Sequence, residues 1–97
     1  MRAYTIIIAH NSRMEYEKVY VGMYIFTSAD GKEKPVCLEW TDGERYNITK
    51  VLDKRIAPPA HVGSSMTVRY TVAVNGCERF VYFEKFSKRW FVEKRVT

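Results

Sequence analysis

An all-β fold, one small antiparallel barrel of SH3-like or partly open form with about six strands, is predicted by three observations. Residues 66–95 hold turn-separated runs of Val, Tyr, Phe and Trp alternating with charges, the period of strands with one buried face. Aromatic residues make up 14% of the chain and, with scattered Val and Ile, suit a pleated, half-buried surface. No long window places apolar residues at i, i+3, i+4 and i+7, so helices find no support. At 97 residues the chain is one domain's worth, 1–97, large enough for a single core without disulfides or metal. Residues 1–13 read as a variable N-terminal arm and 14–97 as the barrel.

Taken in order, residues 4–9 (YTIIIA) are β-prone and suited to adding a strand to an open sheet edge, of this molecule or of a neighbour. Residues 19–28 (VYVGMYIFTS) alternate, with Val19, Val21, Met23 and Ile25 on one face. Asp30-Gly31 then reads as a two-residue loop, which sets Ile25 against Val36, Met23 against Leu38 and Val21 against Trp40. For Thr41-Asp42-Gly43 a three-residue loop with left-handed Gly43 is predicted instead. Only that length pairs Leu38 with Tyr46 and Val36 with Ile48 and keeps the apolar face intact. The strand that follows covers about residues 44–49 and continues through Val51, Leu52 and Ile56. Paired prolines at 58 and 59 make residues 57–65 a long connection within the domain.

Asn75-Gly76 between alternating runs is a strong hairpin signal. Counting outward from it sets Val74 opposite Cys77, Val72 opposite Arg79, Tyr70 opposite Val81 and Val68 opposite Phe83. A four-residue loop, 85–88, then brings Trp90 beside Phe83 and Val92 beside Val81. Val68, Tyr70, Val72, Val81, Phe83, Trp90 and Val92 form the predicted core face, with Trp40 also turned inward. The opposite face collects Arg69, Thr71, Phe80, Tyr82, Glu84, Phe91 and Glu93, an unusual aromatic patch for a water-facing surface.

That patch is the candidate binding site. Phe80, Tyr82 and Phe91, rimmed by Arg69 and Lys85, have the ingredients of a single-strand nucleic-acid platform, where bases stack on rings beside cations. The competing expectation is that the N-terminal segment or a symmetric partner covers it. Charge adds a second pointer, since residues 1–48 hold six Lys/Arg against seven Asp/Glu and residues 49–97 ten against four. Lys85, Lys88, Arg89, Lys94 and Arg95 cluster near the C-terminus, as a polyanion-binding surface would, although such charge also serves solubility.

Nothing in the chain reads as catalytic: there is no triad, phosphate loop, metal-ligand spacing or cofactor fingerprint, so no enzyme, cofactor or metal is expected. His61 beside Ser64 and Ser65 lacks an acidic orienter, and His10 reads as a polar strand-end residue. Asp42, Glu44 and Asp53 are explained by turn chemistry and solvation. Cys37 and Cys77 fall in different hairpins and read as free thiols of a reducing cytosol. With no signal-peptide pattern and no run near the roughly 18 residues of a membrane span, a soluble cytoplasmic protein is expected, with no membrane partner.

Val36-Cys37-Leu38-Glu39-Trp40-Thr41-Asp42-Gly43, then Val51-Leu52-Asp53-Lys54-Arg55, Val68-Arg69-Tyr70-Thr71-Val72 and Arg89-Trp90-Phe91-Val92-Glu93, together resemble a family of small β-rich proteins of clostridia-like Firmicutes whose function is unassigned. The likeness covers about residues 17–94 and its elements carry no known chemistry. Similar small proteins can accompany genes for DNA repair polymerases, so the resemblance implies at most an accessory role in repair. Two functions follow as expectations: a non-catalytic binding module for nucleic acid or a nucleic-acid-handling protein, and a self-associating adaptor dimerising through its N-terminal strand or aromatic face.

Overall fold

Seven antiparallel strands form in chain order: β1 (Thr5–Ala9), β2 (Met14–Thr27), β3 (Glu33–Glu39), β4 (Arg45–Ala57), β5 (Thr67–Val74), β6 (Cys77–Glu84) and β7 (Arg89–Arg95). The structure is a computed structural model that describes residues 5–9, 14–57 and 66–95, with side chains from residue 16 onward. Each strand pairs with the next, and β2 also pairs with β7, so β2 to β7 close into a small six-stranded barrel. Closure depends on the length of β2. Its residues 16–21 pair with β7 (Tyr16↔Arg95 to Val21↔Trp90), and from Gly22 onward it pairs with β3. β1 lies on β2 of the same chain, Thr5 opposite Glu17 and Ile6 opposite Tyr16. Expectations for the connection at 58–65, including His61, Ser64 and Ser65, and for His10 lie outside the described residues.

The core is where alternation placed it. Val68, Tyr70, Val72 and Val81 are buried together with Leu38 and Ile48, and Val21, Met23, Trp40, Phe83, Trp90 and Val92 pack around them. Val72 and Val81 are almost fully enclosed, at 0% and 1% exposure. Burying such side chains contributes about 1.5–3 kcal/mol each relative to leaving them in water.

Both later hairpins have the expected register. Val74↔Cys77, Val72↔Arg79, Tyr70↔Val81 and Val68↔Phe83 hold in β5–β6, and Phe83↔Trp90 holds in β6–β7, whose ladder ends at Tyr82↔Phe91, one residue short of the expected Val81–Val92 pair. Asn75 and Gly76 have φ of 52° and 76°, the paired left-handed residues of a type I′ turn. Leu38 faces Tyr46, and the Trp40 N–H donates to the Glu44 carbonyl across the three-residue loop, with Gly43 at φ 90°.

The first hairpin departs from the expected register. The Ser28 N–H donates to the Lys32 carbonyl, so the loop is Ala29-Asp30-Gly31, one residue longer than expected. Ile25 consequently faces Pro35 rather than Val36. A bulge after Tyr24 absorbs the extra residue and restores Met23↔Leu38. The two departures cancel because the core tolerates only one parity at Met23 and Leu38. Ile25 lies beyond the core and is 38% exposed.

Gly43 and Gly76 have open space around the position of an added Cβ, so a substitution there meets only backbone strain. Gly43→Val or Gly76→Val is expected to lower stability by at least about 1 kcal/mol, because a β-branched residue is disfavoured at positive φ. Urea midpoints within error of the parent for both variants would contradict the turn geometry.

Candidate functional site

On the outer face of β5, β6, β7 and β2, the registers Arg69↔Tyr82, Tyr82↔Phe91 and Tyr20↔Phe91 lay four side chains in a row across the strands. Tyr82 and Phe91 stack with centroids 4.8 Å apart and 4° between their planes. Tyr20 meets Phe91 edge-on at 5.9 Å, and the Lys18 ammonium sits 4.7 Å over the same ring. Phe91 is therefore only 4% exposed, less than Trp90 on the core side. Phe80, Tyr82 and Phe91 do share the face opposite Trp90, but they are not an open three-ring platform.

Phe80 is the ring left open, at 48% exposure, with the Arg69 guanidinium 4.4 Å above it. The Nε of Arg69 is buried and has no hydrogen-bond partner among the described residues. Tyr82 has structural work: its hydroxyl donates to Glu93 Oε1 at 3.0 Å. Burial first, then the Glu93 charge, raises its phenol far above the usual range. Tyr82→Ala would remove packing together with any contact to a partner.

Beside these rings, the carboxylate of Glu84 is 7% exposed and accepts from Lys18 Nζ at 2.7 Å, the Ser87 hydroxyl at 2.7 Å and the Tyr20 hydroxyl at 3.1 Å. Burial alone would raise its pKa, but these donors and the Lys18 charge hold it below the ordinary carboxylate range. Glu84 thus fastens β2 to the β6–β7 turn.

The turn itself carries the exposed cations. Lys85 and Lys88 are exposed, and Lys88 takes a φ of 60°. The Arg89 guanidinium lies 3.6 Å over the Tyr20 ring. Lys88 and Arg89, with Tyr20, Val21, Met23 and Trp90, line a hollow of about 500 Å³. Trp90, on the inner face opposite Phe83, is half-buried. The five-cation cluster expected from sequence is divided: Lys94 and Arg95 pair with Glu17 and Tyr16 at the other end of β7. At about 3.3 Å per residue, that separates Arg95 from Arg89 by roughly 20 Å.

Tyr20, Lys18 and the half-buried Trp90 belong to this surface although the sequence does not place them there. They arrive through β2–β7 pairing, a contact between distant strands that no turn signal specifies.

The acidic residues behave as turn and surface groups: Asp42 accepts from the Glu44 N–H at 2.9 Å and Asp53 from Arg55 Nε at 2.7 Å. Among the described residues no group of three or more His, Cys, Asp or Glu could hold a metal ion, both cysteines are free, and no helix is long and apolar enough to cross a membrane. Compared with known proteins, the chain matches no family model, no curated protein and no solved structure.

Proposed function

We propose that the protein is a non-catalytic binding module for single-stranded nucleic acid. The observation that supports this most is the hollow at the β6–β7 turn, which Lys88 and Arg89 line together with Tyr20 and Trp90. Such a site offers phosphates a cationic rim and bases an aromatic wall, which suffices for binding without base-specific contacts. Arg69 over Phe80 extends the same chemistry along the outer face. The excess of cations in residues 49–97 supplies long-range attraction. An accessory role in DNA repair or other nucleic-acid handling, exerted on the nucleic acid or on a protein that holds it, fits this reading and the family resemblance.

The test is fluorescence anisotropy with a labelled oligothymidine of about 15 nucleotides, long enough for one small domain. Neutralising two or three phosphates predicts an affinity that falls about tenfold between 50 and 200 mM salt. Reversing charge at Lys88 and Arg89 together should abolish binding, and Phe80→Ala should weaken it about fivefold through lost stacking. Unchanged affinity after the double charge reversal would exclude this function.

Self-association is the second reading. It draws on Tyr24, Ile25 and Phe26, at 43%, 38% and 51% exposure, at the end of β2 beyond the core. A concentration-dependent dimer insensitive to salt would favour it.

A further inference from the structure

At the end of the barrel away from the basic turn, the seam between β6 and β7 opens. The ladder runs Glu84↔Arg89, Phe83↔Trp90 and Tyr82↔Phe91 and then stops. Beyond it β7 stays with β2, through Val92↔Val19 and Lys94↔Glu17, while β6 stays with β5 to the Asn75-Gly76 turn. The gap is a cleft of about 690 Å³. Its walls include Leu38, Trp40, Val81 and Val92, so it reaches the apolar interior of the barrel, and Asn75, Arg79 and Glu93 also line it.

Arg79 is the informative residue. It stands opposite Val72, which is 0% exposed, and therefore on the inner face of β6. A guanidinium on an inner face is tolerable only if it is paired or can reach water. Arg79 is exposed, and it forms no ion pair or hydrogen bond among the described residues. The open seam lets it reach water, at the mouth of an apolar cleft. A pocket of a few hundred Å³ with apolar walls and a few convergent polar groups is the usual form of a small-molecule site. Arg presents a planar fork of donors matched to carboxylate and phosphate oxygens.

We infer that this cleft binds a small organic anion with a flat apolar body, its body against Trp40 and Val81 and its carboxylate or phosphate on Arg79. The cleft is separate from the hollow at the basic turn, since the two share no lining residue, although Phe80, which the nucleic-acid reading also uses, is one of its walls.

The experiment uses two dyes with closely similar bodies: 8-anilinonaphthalene-1-sulfonate, which carries an anion, and N-phenyl-1-naphthylamine, which does not. Saturable one-to-one binding of both to the folded protein is expected. Arg79→Gln should weaken the sulfonate dye about tenfold, the loss of one charge-assisted contact, while leaving the neutral dye unchanged. Cys77→Trp, at a second exposed lining position, should fill the cleft and displace both. Competition then identifies the source of the anion: thymidine 5′-monophosphate displacing the sulfonate dye makes the occupant a nucleotide, and indole-3-acetate displacing it makes the occupant a free aromatic acid. Sulfonate binding that survives Arg79→Gln, or binding of both dyes that survives Cys77→Trp, would overturn the assignment. Oligonucleotide affinity should be unchanged in Arg79→Gln, which alters no residue of the nucleic-acid reading, so the two sites fail or stand separately.

Discussion

Replacing Trp90 with alanine is expected to lower stability by about 3–5 kcal/mol, the usual result of removing a large aromatic that its neighbours cannot replace. Its ring lies 5.1 Å from Tyr70 and 5.0 Å from Phe83, and the backbone pairing Val21↔Trp90 sets it at the closure of the barrel. In a domain of this size each kcal/mol moves the melting temperature by roughly 4–8 °C, so a shift of more than about 12 °C should appear in a calorimetric scan. Phe91→Ala supplies the sharper comparison. Strand alternation alone puts Phe91 on the water side and predicts a small effect, whereas its 4% exposure predicts a loss of about 3 kcal/mol or more. Melting within a few degrees of the parent for Phe91→Ala would mean that the stacked row Tyr20, Phe91, Tyr82 does not form in solution.

These two substitutions mark what the sequence made legible and what it did not. Turn chemistry and parity fix the register of β3–β4, β5–β6 and β6–β7, because each is a local hairpin and a slip of one residue would expose its apolar face, but only β5–β6 pairs along its whole expected length. The β2–β3 loop length is not legible in the sequence, since Asp30-Gly31 is compatible with two- and three-residue loops and the compensating bulge has no residue signature of its own. The β2–β7 closure could not be counted out from any turn. It decides the candidate site, for it brings Tyr20 and Lys18 over Phe91, makes the expected platform a packed cluster, and leaves Phe80 and the Lys88–Arg89 hollow as the open surface. Arg79 was legible as a register position opposite Val72. Its meaning depends on a ladder that stops early, which sequence alternation does not record.

Acid should loosen the closure itself, through Glu84. Its folded pKa lies below the ordinary value of about 4.3, so the unfolded chain takes up the proton first as pH falls. The stabilisation is complete above about pH 5 and is lost progressively below it, as the carboxylate that holds Lys18, Tyr20 and Ser87 becomes protonated. Asp30 and Asp53 are also held low, by the Ser28 hydroxyl and by Arg55, but both are at the surface, where solvent screens their contribution. Glu84→Gln separates the terms. At pH 7 it removes the negative charge 2.7 Å from the Lys18 ammonium, whose side chain is 14% exposed, and a loss of about 1–3 kcal/mol is expected, the usual worth of a hydrogen bond to a charged group. Between pH 7 and pH 3 the melting temperature of the variant should fall less than that of the parent, because the variant has no charge at position 84 to lose. The gap between the two proteins therefore narrows in acid. Parallel melting curves across that range would show that the Lys18–Glu84 bridge adds nothing to the β2–β7 closure, and that packing of Tyr20 on Phe91 alone holds it.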